Sequence, residues 1–282
     1  MYEKISGFSD EIDKDIEKQF SVLNGLGIRY FEPRGINGNN ISDLNDIELQ
    51  ALKASMLKYN ISASSIGSPI GKIQITEDFS MHYEKFKRTV YIAKKLKAKY
   101  IRIFSFYIPA CDYEKYRDEV ISRLKKMTEF AEKNNVILLH ENEKGIYGDT
   151  PERCEDIIKS VNSKNLRCVF DMANFVQCGV ETYPYAFNKL FDYIEYVHIK
   201  DAVAEGGKVV PAGQGDGHIK EIIKELKKSG YNGFYSIEPH LGSFEGLQNL
   251  ELSNDMLNLP KGGEGTFTLA FKEFLNILEG EF

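Results

Sequence analysis

The amino-acid sequence predicts a closed (β/α)8 barrel. Three observations point there. Eight short apolar runs alternate with eight segments of helical period along 282 residues. Several runs are apolar throughout rather than alternating, which suits parallel strands covered on the outside by helices. The connections are short and no composition break divides the chain, so one domain over residues 1–282 is expected. An open doubly wound sheet competes, but its usual GxGxxG after the first strand is missing; the first run leads into SDEI instead.

The elements follow in order. The strand runs are Ile5–Phe8, Tyr30–Glu32, Ile61–Ile66, Tyr100–Phe104, Val136–His140, Arg167–Phe170, Tyr196–Ile199 and Phe234–Ile237. After the first, Asp13–Asn24 repeats Ile16, Phe20 and Leu23 on one face and meets Gly25 and Gly27 as stop signals. Ile47–Tyr59 follows Asp43 and Asp46 and keeps Leu49, Leu52 and Met56 together. Asp78–Leu96 spaces Phe79, Tyr83, Phe86, Val90 and Ala93 by three or four. Tyr113–Lys133 follows Asp112 as a cap, and Thr150–Pro151–Glu152 opens the next helix with a cap and then Pro at its first position. Tyr183–Phe191, His218–Ser229 and Thr266–Leu278 complete the series. One stretch, residues 239–265, is too long for an ordinary connection and reads as a lid or interface loop.

Composition narrows the function. With 36 basic and 42 acidic residues the formal net charge is −6, which disfavours nucleic acid as a partner. No apolar run approaches the ~20 residues of a membrane helix, so no membrane partner is expected. The first twelve residues, MYEKISGFSDEI, lack the apolar core of a secretory signal. Cys111, Cys154, Cys168 and Cys178 form no CxxC pair, so they read as ordinary thiols in a reducing cytoplasm.

In barrel enzymes the site lies where strands end at their C-terminal side. Four successive strand ends here present Glu141, Asp171, His198 and Glu238. Each alone has a plain explanation as a helix cap, an ion-pair partner or a hydrogen-bonded core group. Together they converge, because adjacent strands lie ~4.8 Å apart. Two carboxylates ~4 Å apart repel by about 4 kcal/mol at an effective dielectric near 20, so three of them call for a cation. Oxygen ligands with one imidazole suit one divalent ion, Mn²⁺ or Mg²⁺ first, with Co²⁺ or Zn²⁺ also accommodated. Nearby, Arg34 either holds a substrate oxygen or phosphate or pairs with Glu32. Lys200 and Asp201 follow the histidine and are expected to brace it. His240 either faces substrate or caps a turn. The loop PAGQGDG (211–217) either cradles an anion or turns into the seventh helix with Asp216 near its cap.

The segments HENEKGIYGDTPE (140–152), FDMANFVQCG (170–179), YVHIKDA (196–202), PAGQGDG (211–217) and GFYSIEPH (233–240) resemble the xylose-isomerase-like barrels. That superfamily includes sugar-phosphate isomerases and epimerases, ketose 3-epimerases, hydroxypyruvate isomerases, inosose dehydratases and endonuclease IV. SGFSDEI and LGIRYFEPRG resemble its first two strands, so the likeness covers nearly the whole chain. It implies metal ligands at Glu141, Asp171, His198 and Glu238, with Glu141 and Glu238 also the catalytic carboxylates. Two positions depart from many members, which have histidine where this chain has Glu143 and Asn174; both normally line the substrate. Barrels of this kind often form homodimers.

The resemblance implies a metal-dependent isomerase or epimerase acting on a small sugar or sugar phosphate through an enediolate, with a glutamate pair moving the proton. The alternative is a dehydratase or lyase on a keto-inositol or 3-keto-glycoside, which shares the enolate and differs in what leaves. A nuclease of the endonuclease IV kind fits less well, because the chain has five histidines and is acidic. A non-catalytic barrel is disfavoured by the intact ligand quartet.

Overall fold

The structure is a computed structural model that describes residues 4–243 and 261–280. Eight parallel strands ring the centre: β1 (Ile5–Gly7), β2 (Tyr30–Phe31), β3 in two pieces (Ser62–Ala63 and Ser65–Gly67), β4 (Tyr100–Ile103), β5 (Ile137–Glu141), β6 (Leu166–Asp171), β7 (Ile194–Ile199) and β8 (Phe234–Ile237). Seven of them form one continuous parallel sheet that runs from β1 through β8, β7, β6, β5 and β4 to the second piece of β3. β2 closes the gap. Its Tyr30 and Phe31 pair with Ser62 and Ala63. On its other side the Glu32 amide donates to the Gly7 carbonyl at 2.9 Å. The closed (β/α)8 barrel read from the sequence is therefore the fold, with every expected strand present.

β1, β4 and β8 are buried along their whole length and β5, β6 and β7 at all but one residue each, which explains their nearly unbroken apolar composition. Residues two apart share a face. Tyr100, Leu139, Val169, Tyr196 and Phe234 pack as one cluster inside the ring. Two residues further along the same strands stand Arg102, Glu141, Asp171, His198 and Ser236. The inner face thus changes from aromatic to ionic within one pleat. The outer faces and the helices form the main core, with Phe20, Phe31, Phe86, Leu124, Ile157, Phe170, Ile222 and Phe274 fully or almost fully enclosed.

The helices start where their caps lie. α1 (Ile16–Gly25) is capped by Asp15, and α2 (Asp46–Tyr59) by Asn45 in a reciprocal box with Glu48. α3 (Phe79–Leu96) is capped by Asp78, and α5 (Pro151–Val161) by Thr150 with proline at its first position. α4 (Tyr113–Lys133) follows Asp112, whose side chain makes no capping bond. Between β6 and β7 the chain departs from expectation. A short helix, α6 (Met172–Gln177), begins directly after Asp171. The segment expected to be one helix, Tyr183–Phe191, is helical in three short pieces: a π turn at Thr182–Ala186, α7 at Phe187–Leu190 and a 3-10 turn at Phe191–Tyr193. α8 (Ile219–Lys228) and α9 (Glu264–Glu279) complete the ring. Of the long stretch 239–265, residues 244–260 lie outside the described residues. No helix among the described residues is long and apolar enough to cross a membrane.

Three loops stiffen one side of the C-terminal mouth. The Tyr107 amide donates to Ile73, that of Ile75 to Tyr107, that of Ile108 to Gly145 and that of Tyr147 to Phe106, so the loops after β3, β4 and β5 are laced together.

Candidate metal centre

Glu141 and Asp171 are the last residues of β5 and β6. His198 lies on β7 directly opposite Asp171, and Glu238 follows β8, its amide donating to Ile199 at 3.2 Å. Parallel pairing with this register brings the four side chains to one level. One ligand atom from each lies within 4.8 Å of every other, and all four residues are buried. His198 Nδ1 stands 3.0 Å from Glu141 Oε1, 3.6 Å from Glu238 Oε2 and 3.9 Å from Asp171 Oδ2. Asp171 Oδ2 has Lys200 Nζ at 3.2 Å yet no hydrogen bond of good geometry. Three carboxylate oxygens and one imidazole nitrogen at this spacing fit one hard or borderline divalent ion.

Neighbours orient each ligand. His198 Nε2 lies 3.2 Å from Glu32 Oε2, so Glu32 can accept the Nε2 proton and leave Nδ1 free to ligate. Asp171 also caps α6, its Oδ1 accepting from the Asn174 amide at 2.9 Å. The Asn142 side chain bonds both the Asp171 amide and carbonyl. Arg102 Nη1 donates to Glu141 Oε2 at 3.1 Å, and Arg34 Nη1 donates to Glu238 Oε1 at 2.9 Å. Each glutamate therefore gives one oxygen to the centre and the other to a buried arginine. The two guanidinium carbons lie 4.4 Å and 5.1 Å from the centroid of the Phe8 ring, whose edge meets His198.

These charges move one another's proton affinities. Burial pushes the Asp171 carboxyl up to about 7; Lys200 limits the rise while Glu141 and Glu238 add to it. Burial opposes charge on Glu141 as well, but His198 and Arg102 outweigh it and hold the carboxyl near about 2. Glu238 is likewise held well below the usual range against burial, by Lys200 and His240. His198 resists burial because Glu141 and Glu32 raise its imidazolium to about 10. In this state protons and Lys200 supply positive charge that a divalent ion would bring.

The remaining expected residues divide. Lys200 Nζ lies 3.2 Å from Asp171 and 3.3 Å from Glu238, so it joins the centre itself. Asn174 Nδ2 donates to Glu141 Oε1 at 3.2 Å and to the Asn142 carbonyl at 2.9 Å. His240 Nε2 is 3.3 Å from Glu238 and 3.4 Å from Glu11. Glu143 stands at the mouth, paired with Lys72 at 3.1 Å. Arg34 does not pair with Glu32: its guanidinium meets Asp10, Glu11 and Glu238, while Glu32 serves His198. Asp201 does not brace the histidine. Its carboxylate accepts the amides of Ala202, Gly213, Gly215 and Gly217 at 2.8–3.0 Å, so the glycine loop does cradle an anion, the chain's own. A side chain at Gly215 or Gly217 would collide with that carboxylate. Asp216 is not the cap of α8, where His218 stands; it accepts from the Ala204 amide.

Glu11, Glu32, Lys72 and Arg102 escaped sequence reasoning as members of the site. Arg102 carried only a partial signal: a charged residue inside the apolar run YIRIF, with nothing local to show which way it faces.

Comparison with known proteins places the fold. Residues 20–258 match the family described as the xylose isomerase-like TIM barrel. An uncharacterized protein of Methanocaldococcus jannaschii, MJ1311, is 28% identical over 154 residues, 52% of each chain, so the match spans about half the length of that relative. The structure of the IOLI protein with a bound zinc atom superimposes with a TM-score of 0.74 at 17% identity, covering 99% of both chains. D-allulose 3-epimerase from Methylomonas sp. in complex with D-allulose gives 0.73 at 16% identity, covering 97% of this chain and 96% of that one. The probable 3-DHS dehydratase AsbF of Bacillus anthracis gives 0.73 at 17% identity, covering 97% and 99%.

Proposed function

The chain belongs to the xylose isomerase-like TIM barrel family, and on that premise we propose that it is a metal-dependent isomerase or epimerase of a small sugar, with Glu141 and Glu238 as the proton-transfer pair. One observation carries this reading. The two glutamates stand on either side of His198, each with one oxygen at the ligand cluster and its other oxygen on its own arginine. Glu141, Asp171, His198 and Glu238 would hold a divalent ion, Mn²⁺ or Mg²⁺ by donor chemistry, which when bound would supply Lewis-acid polarisation of a carbonyl worth several kcal/mol.

The protein's own groups do the rest. Glu141 and Glu238 are held ionised, so either can take the proton α to the carbonyl; the same carboxylate can return it, and its partner can return one once it has taken up a proton from water. Arg102 and Arg34 fix the direction in which each carboxylate points. Glu32 holds the imidazole tautomer. Asn174 anchors Glu141 and, having no titratable proton, takes no part in transfer itself. Return of the proton to the opposite face of the same carbon gives epimerisation; return to the neighbouring carbon gives aldose–ketose isomerisation.

Lys200 favours a second reading. An ammonium held within 3.3 Å of two members of the ligand set can protonate a departing hydroxyl or aglycone oxygen, which would make the reaction an elimination. Incubation with Mn²⁺ and a panel of ketoses and keto-inositols in D₂O, followed by NMR, distinguishes the two. Deuterium gained at the carbon beside the carbonyl without loss of oxygen supports the isomerase. Deuterium with loss of water supports the lyase. Exchange undiminished in the double Gln variant of Glu141 and Glu238 would contradict both.

A further inference from the structure

A second group of potential ligands lies beside the first. Glu11, Glu238 and His240 offer ligand atoms that are within 4.8 Å of one another, and all three are buried. Glu11 sits in the turn after β1 and His240 two residues beyond Glu238, so the group spans the seam where the barrel closes. His240 Nε2 is 3.3 Å from Glu238 Oε1 and 3.4 Å from Glu11 Oε1. The His240 amide donates to Glu11 Oε2 at 2.8 Å, which fixes that carboxylate in place.

A cation already occupies this group. Arg34 Nη1 lies 2.9 Å from Glu238 Oε1 and Nη2 lies 3.2 Å from Glu11 Oε1. These are the same two oxygens that face His240. The guanidinium is anchored behind by Asp10, which accepts from Nε at 2.8 Å and from Nη2 at 3.1 Å. Gly35 makes that approach possible, since a Cβ there would stand 2.9 Å from Asp10 Oδ2. Arg34 is only 4% exposed. A planar fork with fixed donors is the side chain best suited to hold two carboxylates in one geometry.

We infer that Arg34 occupies a second cation site built by Glu11, Glu238 and His240, and that its guanidinium does there what a second divalent ion would do. This rests on the metal centre proposed above, because Glu238 belongs to both groups. In sites with two ions, the ions sit about 3.5–4 Å apart and share ligands. Here the shared ligand has one oxygen toward the first centre and the other on a guanidinium. A permanent charge on a tethered side chain needs no metal and cannot dissociate. It holds Glu238 Oε1 fixed while leaving Oε2 to the centre, and it limits the protein to one ion.

Metal stoichiometry tests this without reference to turnover. The protein is equilibrated with excess Mn²⁺, separated from free ion and measured by elemental analysis, with electron paramagnetic resonance reporting coupling between neighbouring ions. The wild-type protein should hold one ion. Arg34→Ala should hold two, with a coupled spectrum, and Arg34→Lys should return to one. Adding Glu11→Gln to Arg34→Ala should restore one ion, which locates the second. One ion in a folded Arg34→Ala protein overturns the inference, as do two ions in the wild type. Should Arg34→Ala fail to fold, Arg34→Gln keeps the hydrogen-bonding reach without the charge and is read the same way. No ion in the wild type would sink the metal centre itself, a result distinct from failure of the second site alone.

Discussion

The Glu141 side and the Glu238 side of the barrel mouth solve the same problem differently. Glu141 meets one arginine, Arg102, and shares its other oxygen with His198 and Asn174. Arg102 in turn has an Nε with no hydrogen-bond partner among the described residues and lies over the rings of Phe8 and Phe104. Glu238 instead sits in a dense ionic cluster with Arg34, Lys200 and His240, and Arg34 also serves Asp10 and Glu11. One carboxylate is held by one arginine, an imidazole and a side-chain amide, the other by a network of three cationic side chains and further carboxylates. Single pairs are broken by one substitution, whereas a network leaves several uncompensated charges when its hub is lost.

The largest effect should come from the glutamates. Glu141→Gln and Glu238→Gln should each lower turnover by ~10²–10⁴-fold, the usual contribution of a general acid–base group, and single-turnover kinetics reads it. A loss at one glutamate only would show that the pair is not a pair. Next come the arginines. Breaking a buried ion pair from one side costs about 3–5 kcal/mol. Urea unfolding of metal-free protein should place Arg102→Met in that range and Arg34→Met above it, because Arg34 faces three carboxylates. Equal costs would erase the contrast between network and single pair.

Smaller effects sharpen the shared floor of the site. Glu32→Gln should weaken Mn²⁺ binding by ~10–100-fold, the usual cost of losing a ligand's outer partner, as measured by calorimetry. Asp171→Asn should also weaken binding while leaving the unfolding profile of the metal-free protein nearly unchanged. Acidity acts in a known direction. Asp171 titrates at about 7 and His198 at about 10 in the metal-free protein, and both must give up a proton to bind the ion. Affinity should therefore fall as pH drops, with a slope of ~tenfold per pH unit for each proton displaced. A flat profile between pH 6 and 8 would remove both from the ligand set.

The fold and the quartet were legible because both rest on local pattern. Apolar runs of strand length ended in Glu141, Asp171 and Glu238, or held His198 near the end, and barrel geometry brings strand ends together. Glu32 and Arg102 were not legible as members of the site, because nothing local tells which face of a fully buried strand points inward; only the closed ring does. Arg34 was recognised as a site residue, read as holding a substrate oxygen or phosphate or as pairing with Glu32, and the pairing with Glu32 did not hold. Residues two apart on a strand share a face, yet Arg34 reaches across to the β1 and β8 loops. Asp201 was misread for a similar reason: its partners are backbone amides brought in by a hairpin, Asp201–Ala202 with Val209–Val210. Helix α6 was missed because its cap, Asp171, had already been read as a ligand, and one side chain does both.

The measurement closest to the central claim is an anomalous-scattering map from crystals of this protein grown with Mn²⁺. The account predicts one strong peak within bonding distance of Glu141, Asp171, His198 Nδ1 and Glu238, with Arg34 still seated on Glu11 and Glu238. A peak elsewhere, or no peak with the four side chains still bound to one another, would contradict it.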